Sequence, residues 1–154
     1  MVRGVLLGWR PADGLVGEEG DDLRGTSGVV WIVDPIDGTV NYLYGLPHYA
    51  VSIAAEVDGE VVAGVVLAPV LGLEYVATGG GGATCNGTPI HCRPVPALSE
   101  RLIGTGFNYE QPARARQAGY VAQLLPAHRD LRGRGPAGLR HTGGPPGALA
   151  RSLA

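Results

Sequence analysis

Hydrophobic and polar residues alternate most regularly over the middle of the chain. Between residues 49 and 57 the apolar side chains Val51, Ile53, Ala55 and Val57 share one face. After Asp58-Gly59, Val61, Ala63, Val65 and Leu67 repeat the pattern. Two alternating runs around Asp-Gly predict a β-hairpin, because this dipeptide accepts the positive φ angles of the tightest hairpin turns. A third strand is expected over residues 73–77, beyond the turn at Leu71-Gly72, which makes an antiparallel meander. Residues 79–82 read as flexible loop, Asn86-Gly87 as another turn, and residues 102–107 as a further strand. Upstream, Val29-Val30-Trp31-Ile32-Val33 is a continuous apolar run, the pattern of a fully buried strand. Its end is predicted at Asp34-Pro35, since proline lacks an N–H and disfavours a helical residue before it.

Helical periodicity shows at two places. Residues 1–10 read as the end of an amphipathic helix. Within residues 112–125, Ala115, Ala118, Val121, Ala122 and Leu125 fall on one side of a helix. Residues 11–28 are polar and Gly-rich and read as loop. Residues 133–154 fit neither period: they hold six Gly and three Pro and no aromatic or acidic residue. A stretch of that composition cannot bury enough surface to order itself. The expected organisation is an α+β domain over residues 1–132, an antiparallel sheet with flanking helices, followed by an irregular tail over 133–154. The abrupt change to Arg/Gly/Pro-rich text also suggests a shifted reading frame.

Bulk properties narrow this picture. The chain has 154 residues, 45% of them hydrophobic and 17% charged, enough for one domain with a core. A net charge of −2 gives no strong field toward nucleic acid or an anionic membrane, so neither is expected as a partner. All 12 basic residues are Arg, which fits a GC-rich bacterial genome. Cys85 and Cys92 are too few for a disulfide framework, and a reducing cytoplasm is the expected location. His91 beside Cys92 matches no standard zinc spacing. The start lacks a signal-peptide pattern. The longest apolar stretch, residues 61–73, is broken by Gly64, Pro69 and Gly72 and is too short to span a bilayer.

The chemistry concentrates in Asp34-Pro35-Ile36-Asp37-Gly38-Thr39. Two carboxylates lie three residues apart where a strand ends. A kink at Pro35 lets both carboxylates and the Ile36 carbonyl turn toward one point, and such oxygens are the hard ligands Mg²⁺ prefers. If residues 40–44 open a helical turn, the N–H groups of Gly38 and Thr39 face outward as a phosphate site. The same six residues also suit a plain turn with Thr39 as helix cap, and alone they leave both readings open. The acidic run Glu18, Glu19, Asp21 and Asp22 reads by itself as a solvated loop, and beside Asp34 as a further source of metal ligands.

Trp31-Ile32-Val33-Asp34-Pro35-Ile36-Asp37-Gly38-Thr39-Val40-Asn41-Tyr42 closely resembles the signature of the inositol monophosphatase family. The resemblance extends to Gly17-Glu18-Glu19, to Pro47-His48-Tyr49-Ala50-Val51-Ser52-Ile53 and to Cys85-Asn86-Gly87, and runs to about residue 132. It implies the N-terminal half of an αβαβα layered sandwich and hydrolysis of a small phosphomonoester, inositol monophosphate first, with Mg²⁺ as cofactor. Glu18 matches a metal ligand, Asp34 a carboxylate bridging two metals, the Ile36 carbonyl a ligand of the first metal and Asp37 of the second. Gly38 and Thr39 match the backbone donors to the substrate phosphate. Glu18 and Thr39 match the groups that orient the attacking water. The signature's ending is more similar to inositol phosphatases than to fructose bisphosphatases or sulfur-nucleotide phosphatases. A histidinol-phosphate or other sugar-phosphate hydrolase of the same superfamily is the alternative substrate reading.

Family members also carry an upstream aspartate that partners the threonine, and a downstream Trp-Asp motif that completes the second metal site. Neither has a counterpart here: Trp9 and Trp31 precede Arg10 and Ile32. The expectation is a chain truncated at both ends, and an inactive, metal-binding remnant is the alternative to an active enzyme. Full-length relatives are expected to be homodimers.

Overall fold

The computed structural model describes residues 2–18, 20 and 22–133. It opens with helix α1 (Val2–Trp9) and strand β1 (Gly14–Gly17), followed by β2 (Val29–Asp37) and the short helix α2 (Thr39–Leu43). Then come β3 (Ala50–Val57), β4 (Glu60–Ala68), β5 (Leu73–Thr78), β6 (Gly82–Cys85) and β7 (Thr88–Ile90). Strand β8 (Leu102–Thr105), helix α3 (Gln111–Leu124) and strand β9 (Asp130–Gly133) complete it.

Strands β1 to β7 form one sheet in chain order, and β8 pairs with β9 in a second, two-stranded sheet. The meander predicted for β3, β4 and β5 is present and extends to β2 on one side and to β6 and β7 on the other, each pair antiparallel. At the hairpin, Asp58 (φ 51°) and Gly59 (φ 86°) both take left-handed backbone, as a two-residue turn of that twist requires. Asn86 (φ 48°) and Gly87 (φ 76°) repeat the solution between β6 and β7. Asn86 also clasps the neighbouring turn, its amide oxygen accepting from the Glu74 N–H at 2.7 Å and its amide nitrogen donating to the Gly72 carbonyl at 2.9 Å. On one face of the meander, Ala50, Ala68, Tyr75, Cys85 and Ile90 make the buried core, with Val66, Leu73 and Ala83 against it.

Four expectations need correction. Residues 11–28 are not all loop: β1 lies there, paired parallel to β2, so the sheet is mixed at its edge. Parallel neighbours are remote in sequence, and Gly-Leu-Val-Gly carries no alternation to announce a strand. The apolar run of β2 is not buried on both faces; Val33 is, while Ile32 stays 37% exposed. Nor does β2 stop at Asp34, since it resumes pairing at Asp37 after a bulge, as described below. The further strand expected over residues 102–107 forms over 102–105 and pairs with β9. Helix α3 forms nearly where predicted, yet of the face expected only Val121 is half-buried, together with Ala113 and Gln117. The Gln117 side chain accepts from the Asn108 N–H at 2.9 Å, which ties the helix to the segment before it. The tail read over residues 133–154 lies, beyond Gly133, outside the described residues. No helix among the described residues is long and apolar enough to cross a membrane.

The β1 edge depends on one glycine. Gly25 runs against the turn before β1, and a Cβ there would collide with the Gly14 nitrogen and the Asp13 carbonyl carbon, and sit 2.7 Å from the Ala12 oxygen. These are backbone atoms and cannot rotate away. Gly25→Ala is therefore expected to lower the unfolding free energy by about 1–3 kcal/mol, the usual cost of forced overpacking. Urea denaturation of both proteins checks it; equal midpoints would show that the chain simply shifts there.

Candidate functional site

The site grows from a defect in the β2–β3 ladder. Asp34 pairs with Ser52 and Asp37 with Ala50, so three steps along β2 span two along β3. Pro35 offers no N–H to the ladder, and a bulge is where a strand tolerates this. The extra residue bends β2 and re-aims its side chains. Within the bulge the Asp34 carboxylate accepts from the Ile36 N–H at 3.1 Å. The Thr39 hydroxyl donates to the Ile36 carbonyl at 3.0 Å, closing the loop below.

Gly38 makes the exit from the strand possible. It precedes α2 with φ 95° and ψ 39°, a left-handed conformation that L side chains rarely adopt. Its carbonyl then accepts the Tyr42 N–H at 3.0 Å, the first bond of the helical turn expected at residues 40–44. Beyond α2, the Asn41 side chain donates to the His48 carbonyl at 2.7 Å, and the Tyr42 and Tyr49 rings meet edge to face at 5.1 Å. These contacts fix α2 against the segment leading into β3.

Glu18 reaches the same place from β1. The parallel pairing sets Gly17 opposite Val33, so the next residues on the two strands are Glu18 and Asp34. The Asp34 carboxyl is pushed up to about 6, first by burial, then by the negative charge of Glu18 and of Asp37, and by a hydrogen bond shared with Glu18. The Ile36 N–H bond pulls the other way and is outweighed. Thus the charges of Glu18 and Asp37 both bear on Asp34. The three carboxylates are not a tight cage: among the described residues no cluster of three or more His, Cys, Asp or Glu side chains is preformed for a metal. The donor set nonetheless suits a hard divalent cation, with crowded carboxylates, a main-chain carbonyl at Ile36 and a charge repulsion that a cation would relieve. Of the rest of the acidic run, Asp22 turns back to accept from the Gly17 N–H at 3.3 Å, which caps β1. Glu19 and Asp21 lie outside the described residues.

Sequence reasoning missed Asp13, buried at 1% exposure. Its carboxylate accepts from the Arg10 guanidinium, from the Ser27 hydroxyl at 2.6 Å and from the Trp31 indole N–H at 2.9 Å. Arg10, above all, holds that carboxyl below the usual aspartate range, and Ser27 and Trp31 add to it against the effect of burial. An acid between Ala12 and Gly14 looks like any turn residue, and only Trp31, eighteen positions on, reveals the partnership.

The model of the inositol monophosphatase family matches residues 5–144, continuing past the residue 132 boundary drawn from composition. The chain is 46% identical over 148 residues to an inositol-1-monophosphatase of Mycobacterium leprae, covering 90% of this chain and 51% of that protein. Its structure superposes on Mycobacterium tuberculosis SuhB with a TM-score of 0.84 at 41% identity, covering 96% of this chain and 59% of the other. The extragenic suppressor protein suhB of Bartonella henselae gives a TM-score of 0.88 at 31% identity, over 96% of this chain and 58% of that one. The chain spans about half the length of the curated relatives it matches.

The raised Asp34 carboxyl has a consequence for stability. A carboxyl raised in the folded state binds more protons there than when unfolded, so stability falls as pH rises between about 4 and about 6. The two-unit shift caps this penalty near 3 kcal/mol, and partial solvent access cuts it to about 1 kcal/mol. In metal-free buffer at pH 7, Asp34→Asn should therefore be more stable than the parent by about 1 kcal/mol, the difference vanishing near pH 4. Thermal unfolding across that range tests it, and an Asn variant less stable at pH 7 would contradict it.

Proposed function

The chain belongs to the inositol monophosphatase family, and from that premise we propose that it carries the Mg²⁺- and phosphate-binding half of a phosphomonoesterase acting on inositol monophosphate. The observation that supports this reading is the proline bulge that partly buries Asp34 beside the charges of Glu18 and Asp37, which together push its carboxyl up to about 6. Glu18, Asp34, Asp37 and the Ile36 carbonyl are the residues that would hold the cations. When bound there, Mg²⁺ supplies charge neutralisation at the phosphate, a more acidic water and stabilisation of the departing alkoxide.

The chain's own groups do the rest. The N–H groups of Gly38 and Thr39 hold a phosphate oxygen at the opening of α2. The Thr39 hydroxyl donates a hydrogen bond to the Ile36 carbonyl, which leaves its oxygen lone pairs free to accept a hydrogen bond from the attacking water. Glu18 orients the same water from the β1 side. Water then displaces the alcohol directly, in line, with no phosphorylated side chain between. The name of the Mycobacterium leprae relative supports inositol 1-phosphate as substrate. Histidinol phosphate and other sugar phosphates are the competitors to be compared in the same assay.

Because the chain spans about half of its relatives, turnover by these 154 residues alone is proposed to be slow. The family's downstream aspartate is not among them. Losing one preorganised electrostatic partner typically costs about a hundredfold to a thousandfold in rate. Isothermal titration with Mg²⁺ should show binding to the parent chain and none to Asp34→Asn. Phosphate release from inositol 1-phosphate should fall at least about a hundredfold below a typical turnover of roughly 10 s⁻¹. Identical titrations for parent and variant would remove Asp34 from the site.

A further inference from the structure

Among the described residues Asp13 is the one buried charged side chain, and the chemistry above gives it no task. We infer that Asp13 is a positioning residue for Glu18, a role that presupposes Glu18's place in the metal site. Strand β1 has four residues, two of them glycine, and holds the edge of the sheet. Short, Gly-rich strands specify their register weakly. Gly14 and Leu15 are its buried residues, Leu15 at 3% exposure, while Val16 is 43% exposed. A slip of one residue would carry Glu18 about 3.3 Å along β2 and away from Asp34.

Asp13 blocks that slip. Its two oxygens take the Ser27 hydroxyl and the Trp31 indole, and Trp31 stands opposite Leu15 in the same ladder. Ala12 reinforces the clasp, its carbonyl accepting the Thr26 N–H at 2.7 Å and the Ser27 N–H at 3.1 Å. On the far side, the Leu15 and Leu23 backbones exchange hydrogen bonds of 2.8 Å each, which folds the Glu18 loop back on β1. A shifted register would strip partners from a buried carboxylate, among the costliest faults a fold can carry. Arg10 brings the balancing charge from the end of α1.

Asp13→Asn keeps the shape and removes the charge that Arg10, Ser27 and Trp31 converge on. Amide exchange at Leu15 and Leu23 should accelerate about tenfold or more while amides of β3 and β4 keep their protection. Mg²⁺ affinity of the full chain, by titration calorimetry, should weaken about tenfold, as loss of outer partners commonly does. Trp31→Phe deletes one donor at constant charge and should move both readouts the same way by a smaller factor; it serves if Asp13→Asn does not fold. Val76→Ala, which trims an apolar contact in β5, should leave Mg²⁺ affinity unchanged. Unchanged exchange at Leu15 overturns the clasp. Faster exchange with unaltered Mg²⁺ affinity overturns the positioning role and leaves Asp13 purely structural. A parent chain that binds no Mg²⁺ fails the metal reading and the role together, and the exchange data still report on the clasp separately.

Discussion

A proline in a paired strand has nothing to donate, and the site follows from where this one stands. Pro35 lies between the last regular partner of β2, Asp34 opposite Ser52, and the next, Asp37 opposite Ala50. The ladder must carry one extra residue there, and that residue swings the Ile36 carbonyl into reach of the Thr39 hydroxyl. Gly38 then completes the change of direction with a left-handed φ of 95°. Strand, bulge, turn and helix are thus four consequences of six consecutive residues. What those residues cannot supply is the second acidic strand. Glu18 arrives only because β1 runs parallel beside β2 in a register that ends at Val33.

This division explains which parts were legible from the sequence. Asp58-Gly59 announced its hairpin and Asn86-Gly87 its turn because positive φ is a local demand with a local signature. Alternation between them predicted strands within a residue or so of β3, β4 and β5. Features resting on partners far along the chain stayed hidden. Strand β1 read as loop because four residues without alternation have no period to detect, and β9 escaped notice because its one partner among the described residues is β8. Glu18 was named through family resemblance, not spacing. Its neighbourhood with Asp34 is a tertiary fact, as is the burial of Asp13. The face of α3 was misjudged for a related reason: a helix of alanines and arginines offers weak contrast, so Gln117, bonded to the Asn108 backbone, decides its orientation.

The proline bulge and the acidic strand make opposite demands on the fold. Pairing β1 to β2 gains hydrogen bonds, yet it sets Glu18 against Asp34, with Asp37 close enough to act as well. Each carboxylate added to a partly dry place raises the cost of the next. The sheet accepts this cost while Asp13, at the other end of β1, is fully compensated by Arg10, Ser27 and Trp31. One short strand therefore follows a charge-paired buried carboxylate and leads to a carboxylate that repels its neighbour on β2. The charge-paired end holds the register that keeps the other in place.

That asymmetry bears on how a cation would be recognised. Burial is the largest cause of the raised Asp34 carboxyl, ahead of either neighbouring charge. Burial weakens competition from water for any ion that does enter, and so strengthens the attraction between that ion and the carboxylates. On the proposed metal reading, the burial that makes an ionised Asp34 costly would also make the site selective for charge. Protons are the competing cation, and below about pH 6 they hold the advantage at Asp34. Above it, only an ion with more than one charge can offset three carboxylates, and hard oxygen donors favour one the size and hardness of Mg²⁺. On the proposed reading, that preference would be set by geometry upstream of any substrate, in the spacing of two strands and the missing N–H of one proline.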